Sequence, residues 1–167
     1  MYLQTKRLEL KPFTEESLEN LVDLLTDDVV KQTYMLPDFP DRQAAMPLAE
    51  RLKARSEGET PIVMGMYCDG QLIGMMNETE RTEDKIEMGY AVLPRFHNQG
   101  YASEAMTAMI GWLFRQGFRE VVAGAFEGND ASLRVMMKSG MQKLDHTDDI
   151  EYRGKVHRCI YYGAFAE

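Results

Sequence analysis

The sequence predicts an α+β fold, on three observations. A strand, a polar turn and an amphipathic helix run from Lys85 to Gly117, and a strand from Glu120 to Glu127 completes a βαβ unit. Such a unit needs a right-handed crossover between parallel neighbours. N-terminal to it, strands over Pro61–Cys68 and Gln71–Glu78 are joined by Asp69-Gly70, a two-residue hairpin signal. C-terminal to it, Met141–Tyr152 and Lys155–Phe165 read as a hairpin turning at Arg153-Gly154.

Each element has its own warrant. Thr5 to Phe13 alternates polar and apolar residues and reads as a strand. Thr14 then caps a helix, with Ser17 three positions on, and Leu18, Leu21, Val22 and Leu25 give that helix a buried stripe. A loop rich in Asp and Pro, Thr26 to Pro40, leads to a second helix over Asp41–Glu57 with Ala45, Leu48, Ala49 and Leu52 inward. Gly65 and Gly74 interrupt strands, where a glycine marks a bulge or a close backbone approach or else has no structural role. Glu80 to Asp84 is a charged connection. In the central strand Ile86, Met88 and Tyr90 alternate before Ala91-Val92-Leu93, and Pro94 ends it. The helix beyond places Ala102, Ala105, Met106, Met109, Ile110, Leu113 and Phe114 on one face, with Gly117 as its stop. Asn129 caps a short helix, Asp130–Ser139, expected to bury Leu133, Met136 and Met137. No repeat, low-complexity tract or linker divides residues 1–167, so a single domain is expected.

Composition narrows the function classes. A net charge of −8 and a pI near 5.0 exclude the basic stripe of a nucleic-acid surface and suit a cationic small partner. Cys68 and Cys159 show no paired spacing, so neither a disulfide framework nor a metal site is expected. Without a signal peptide, long apolar run or lipidation motif, the expectation is a soluble, cytoplasmic protein without a membrane partner. The thirteen methionines read mostly as core gap-fillers rather than a docking surface. Monomer and homodimer both stay open.

The turn Arg95 to Gly100 carries the clearest chemistry. The first turn of a helix directs backbone N–H groups and the positive dipole end along its axis. Gly100 removes a side chain where a ligand must approach, and Ala102 and Ser103 stay small. A phosphate or diphosphate suits such a place. Neither the Gly-Lys-Ser/Thr nucleotide loop nor the three-glycine dinucleotide fingerprint is present, and an ordinary strand-to-helix turn remains the alternative.

Two motifs carry a resemblance. His97-Asn98-Gln99-Gly100-Tyr101-Ala102, followed by Ser103-Glu104-Ala105, resembles the acyl-CoA pyrophosphate loop of the GNAT superfamily of N-acetyltransferases. His97 stands where that loop has Gln or Arg. Asn129-Asp130-Ala131-Ser132, with Lys138-Ser139-Gly140-Met141 behind it, is similar to the superfamily's second motif. There Ser139 and Met141 replace Leu and Phe. The opening Thr5–Phe13 resembles the ribosomal-protein N-acetyltransferase branch, and Asp69-Gly70-Gln71-Leu72-Ile73-Gly74 also recurs in the family.

The resemblance implies a three-layer α/β/α fold with a mixed, mostly antiparallel sheet of about seven strands and about four helices. Its parallel pair, around 85–93 and 120–127, would splay to admit acetyl-CoA as co-substrate. Cofactor-binding residues would be Tyr90, Ala91 and Val92 through their backbone, the loop His97, Asn98, Gln99, Gly100, Tyr101, Ala102 and Ser103, and then Asn129 and Ser132. Asn129 offers one acceptor and two donors to the pantetheine amides, and it can equally be a plain helix cap. Glu87 matches a glutamate that serves as general base in some members; strand alternation can also place it in solvent. His157 is a second candidate, with an exposed edge position as its alternative. Met136 occupies the position of a tyrosine that many relatives use as acid, leaving Ser132 to hydrogen-bond the thiolate. Tyr34, Met35, Leu36 and Phe39 would line the acceptor wall or simply pack on the sheet. The activity implied is acetyl transfer to a primary amine, of a protein N-terminus or a small molecule, in a ternary complex. The alternative is an acyl-CoA-binding module with little or no turnover.

Overall fold

A computed structural model describes residues 1–167. The elements are β1 (Leu3–Gln4), β2 (Leu8–Lys11), α1 (Leu18–Thr26), α2 (Arg42–Ser56), β3 (Val63–Cys68), β4 (Gln71–Arg81), β5 (Lys85–Val92), α3 (Tyr101–Arg115), β6 (Glu120–Phe126), α4 (Asp130–Lys138), β7 (Gln142–Tyr152) and β8 (Lys155–Phe165). Hydrogen-bonded strand order is β1-β2-β3-β4-β5-β6-β8-β7, with β5 and β6 the parallel pair. The sheet has eight strands rather than about seven, because the opening segment is two strands. The Thr5 N–H donates to the Leu8 carbonyl at 2.9 Å, closing a turn that folds β1 back on β2 with Leu3 opposite Leu10. No helix is long and apolar enough to cross a membrane.

The chain divides into two compact units, Met1–Asn77 with Tyr90–Ala105, and Glu78–Gly89 with Met106–Glu167. In the first, Asp41 caps α2 by accepting from the Ala44 N–H at 2.8 Å. Ala45 and Ala49 on α2 join Leu21, Leu24 and Leu25 on α1 in a core that continues through Val63, Tyr67, Met75, Ala91 and Leu93. Tyr34, Leu36 and Phe39 pack against this core, whereas Met35 points to solvent. The β3–β4 hairpin turns with Asp69 at φ 49° and Gly70 at φ 79°, the left-handed pair that a type I′ turn requires.

Both strand glycines mark close approach. A Cβ on Gly65 would meet the Tyr67 ring at 2.6 Å and Leu72 Cδ1 at 2.7 Å. One on Gly74 would lie 2.4 Å from the Ala91 carbonyl oxygen. Beside it, Met66 pairs with Gly74 but Tyr67 with Leu72, so Ile73 bulges out of register. Its carbonyl accepts from the Leu93 N–H at 2.8 Å.

In the second unit, β8 lies between β6 and β7, and Arg153 (φ 54°) and Gly154 (φ 72°) close the last hairpin. The β7–β8 register breaks between Lys143 and Thr147, so residues 144–146 bulge opposite Tyr161. On α4 Met136 is fully buried, but Met137 is 52% exposed. Consecutive helix residues point about 100° apart, and the buried stripe of α4 is too narrow for both, unlike that of α1, where Leu24 and Leu25 are both buried. Met106 and Met109 are buried as expected.

Candidate active site

The site begins where β5 stops. Pro94 cannot continue the ladder, and Pro94–Phe96 form a single 3₁₀ turn. His97 Nε2 lies 2.7 Å from the Val92 carbonyl oxygen and so donates to it, tying the turn back to the strand end. Asn98 at φ 59° and Gly100 at φ 81° take the left-handed region, which bends the chain sharply into α3. The Glu104 N–H donates to the Gly100 carbonyl at 3.0 Å as the helix opens. His97, Asn98, Gln99 and Gly100 are exposed, and Tyr101, Ala102 and Ser103 are half-exposed. The loop thus presents a helix start to solvent, the arrangement that binds anions through backbone amides. Upstream, Ala91 and Val92 are buried and Tyr90 is half-buried.

Three residues absent from the sequence-based candidate set, Thr5, Arg7 and Glu104, brace this loop. Arg7 donates from Nη1 to the Gln99 carbonyl at 2.9 Å and from Nε to Glu104 Oε2 at 2.7 Å. Its backbone N–H donates to Glu104 Oε1 at 2.8 Å, and the Thr5 hydroxyl donates to the same oxygen at 2.6 Å. The guanidinium stacks over the Tyr101 ring at 4.4 Å. Burial works against ionising Glu104, yet the bonds from Thr5 and Arg7 outweigh it and hold the carboxyl below the usual range. The Gln99 side chain folds back along the turn, donating to the Arg95 carbonyl at 3.1 Å.

The second unit carries the other candidates. Glu87 sits on β5 opposite Val122, and the parallel ladder, Lys85 with Glu120, Ile86 with Val121 and Glu87 with Val122, ends there although both strands run on. Its carboxyl is half-buried. Burial pushes its pKa up and Glu80 adds to this, while Thr79, Lys85 and His146 pull the other way. Val122, Gly124, Cys159 and Tyr161 share the sheet face of Glu87 by register. A Cβ on Gly124 would meet Tyr161 Cε1 at 2.8 Å, so the glycine makes room for that ring. Burial pushes the Tyr161 phenol up strongly. The bulge in β7 lays His146 flat on it, centroids 4.3 Å apart, with His146 Nε2 3.4 Å from Asp148. A bulge re-aims a side chain in this way.

His157 is not an edge residue. It lies on β8, its ring stacked 4.4 Å from Phe126, with Nε2 3.2 Å from the Tyr152 carbonyl oxygen. Phe126 is four residues along β6 from the register partner of Glu87, roughly 13 Å of strand. Asn129 caps α4: Oδ1 accepts from the Ser132 N–H at 3.3 Å and Nδ2 donates to the Ser132 hydroxyl at 3.1 Å. The polar loop and Tyr90–Val92 therefore belong to the first unit; Glu87, Asn129, Ser132 and His157 belong to the second. No group of three or more His, Cys, Asp or Glu side chains is arranged for a metal ion.

A mixed, mostly antiparallel eight-stranded sheet with one parallel pair and four helices is the fold of the GNAT class. The chain belongs to the GNAT acetyltransferases: the acetyltransferase (GNAT) domain model matches residues 7–142. It is therefore an acyltransferase, of a family that performs acetyl-CoA-dependent acetylation. Among similar proteins, the uncharacterized N-acetyltransferase YoaA of Bacillus subtilis is 26% identical over 146 residues, 84% of this chain and 82% of that protein. The fold is shared with a GNAT-family acetyltransferase from Bacillus anthracis at TM-score 0.85 and 20% identity, covering 99% of this chain and 98% of that one. It is shared too with RimL, the ribosomal L7/L12 alpha-N-protein acetyltransferase, solved with coenzyme A. There the TM-score is 0.83 and the identity 18%, over 99% of this chain and 98% of that one.

Proposed function

We propose that the protein transfers an acetyl group from acetyl-CoA to a primary amine by direct attack within a ternary complex. The observation that carries this is the turn from His97 to Ser103, exposed and bent by Asn98 and Gly100 into a helix start. Its amides would receive the diphosphate, and the backbone of Tyr90, Ala91 and Val92 the pantetheine. The amine nitrogen attacks the thioester carbonyl carbon, its proton passes to Glu87 directly or through water, and the C–S bond breaks. The departing CoA thiolate then takes a proton from solvent, and Glu87 returns its proton to solvent. A half-buried glutamate with a raised pKa suits the base role better than an ordinary exposed one. Ser132 would hydrogen-bond the thiolate, because the buried Met136 cannot donate. His157, stacked on Phe126, is a weaker base candidate. The acceptor is the amine of a protein N-terminus or of a small molecule.

The test is release of free CoA with a panel of amines, together with calorimetric binding of acetyl-CoA. Glu87→Gln should lower kcat about 10²–10⁴-fold while cofactor affinity stays. Absence of acetyl-CoA binding, or turnover unaltered by Glu87→Gln across pH, overturns the respective parts.

A further inference from the structure

We infer that Arg7 is a positioning residue for the cofactor loop, acting both on its shape and on its charge. The inference rests on the proposed diphosphate site and adds to it a residue that no spacing in the sequence connects with the loop: Arg7 precedes β2, far along the chain from the turn it braces. The Gln99 carbonyl lies directly before Gly100, the residue whose left-handed backbone opens α3. Arg7 Nη1 holds that carbonyl at 2.9 Å, and Nη2 stands 3.3 Å from where a Gly100 Cβ would be. A guanidinium can do this while Nε serves Glu104, because its donors form a rigid planar fork. The orientation of the turn is therefore fixed before any ligand arrives, which lowers the ordering cost of binding.

The second action is electrostatic. Glu104 lies in the first turn of α3, where a carboxylate gains from the helix dipole but competes with any diphosphate for it. Three donors from Thr5 and Arg7 keep it ionised. The Arg7 charge, 2.7 Å away, cancels that negative charge beside the anion loop. Without Arg7, the loop loses its brace and Glu104 becomes an uncompensated charge next to the ligand.

The test is the acetyl-CoA affinity and the KM–kcat split of Arg7→Ala, Arg7→Lys and the double variant Arg7→Ala with Glu104→Gln. Charge-assisted bonds of this kind predict that Arg7→Ala raises Kd and KM for acetyl-CoA about tenfold at low salt, with kcat nearly unchanged. Arg7→Lys keeps the charge but cannot reach both partners, so it should lose about threefold. Adding Glu104→Gln to Arg7→Ala should recover part of the affinity, which a merely structural contact would not do. Should Arg7→Ala not fold, Arg7→Lys decides alone. Wild-type affinity in the folded variants, or equal loss in the single and double variants, overturns the inference. A wild-type protein that ignores acetyl-CoA instead removes the reading beneath it.

Discussion

Gly74→Ala is the sharpest test of how β4 seats the end of β5. The new methyl would sit 2.4 Å from the Ala91 carbonyl oxygen and 3.1 Å from Val92 Cα. Both are backbone atoms, so neither can swing aside as a side chain would. Restoring ordinary contact requires β4 and the Ala91–Val92 segment to part by about 1 Å, an overpacking that costs about 1–3 kcal/mol. The same movement strains the Leu93 N–H to Ile73 carbonyl bond, now 2.8 Å, for about 1 kcal/mol more. The expected loss is about 2–4 kcal/mol, read as a fall in Tm of about 5–15 °C for a chain of this size. Gly111→Ala is the matched control. It lies within α3 with its nearest neighbour, Arg115 Nη1, at 3.5 Å, and should stabilise by about 0.5–1 kcal/mol. Thermal unfolding of both variants, with and without acetyl-CoA, measures each outcome. The cofactor should raise the Tm of Gly74→Ala less than that of wild type, because the distorted segment is the one proposed to bind pantetheine. A Gly74→Ala variant melting within about 2 °C of wild type refutes the reasoning.

Two further predictions follow from single side chains. The Glu87 pKa is raised in the folded state, so its contribution to stability is fully present below the ordinary glutamate range and is lost as pH rises through the raised value. Glu87→Gln does not titrate; its Tm advantage over wild type should therefore grow from about pH 4 towards neutrality and then level off, and an advantage that shrinks with pH contradicts the sign. Asn129→Ala should cost about 1 kcal/mol through the lost cap, whereas Asn129→Asp keeps an acceptor for the Ser132 N–H and should restore Tm. If Asn129 also donates to the pantetheine, Asn129→Asp will recover stability without recovering acetyl-CoA affinity, and joint recovery of both removes the binding role.

How legible each part was depends on how local its cause is. Asp69-Gly70 and Arg153-Gly154 had to turn because their backbone needs positive φ, and this is written in adjacent residues. The loop before α3 was readable for the same reason: Pro94 ends the strand, Gly100 bends the chain, and the small residues after it open the helix. Gly74 was visible as an anomaly, but only the neighbouring strand shows what it avoids. Arg7 and Glu104 lay inside stretches already marked by Thr5–Phe13 and the Glu-Ala pair after the loop, yet their contact spans 97 positions and no spacing rule reports it. The His146–Tyr161 stack depends on a bulge: alternation along β7 gives His146 the face of Tyr161, but an unbroken register would set it opposite Cys159 rather than beside that ring. Met137 failed because the width of a buried stripe is set by what packs on the helix: α1 buries the consecutive Leu24 and Leu25, whereas α4 buries Met136 and leaves Met137 exposed.

Glu104 and Glu87 show how surroundings shift one residue type in opposite directions. Each is partly buried, and burial alone would raise the pKa of both. At Glu104 two charge-assisted donors from Arg7 and the Thr5 hydroxyl reverse that tendency, so the group is a permanent charge across the physiological range. Glu87 has no comparable ion pair: Thr79, Lys85 and His146 only moderate the effect of burial, and Glu80 reinforces it. A carboxylate locked in the ionised form can brace a loop but is a poor proton acceptor, since it gains little by protonation. One pushed upward takes a proton at smaller cost, which is what abstraction from an ammonium or amine demands. Exchanging the environments should exchange the abilities, so a cation introduced beside Glu87, as in Thr79→Lys, should lower its pKa and shift the acid limb of the kcat profile downward. An unmoved limb would mean that the titrating group is not Glu87.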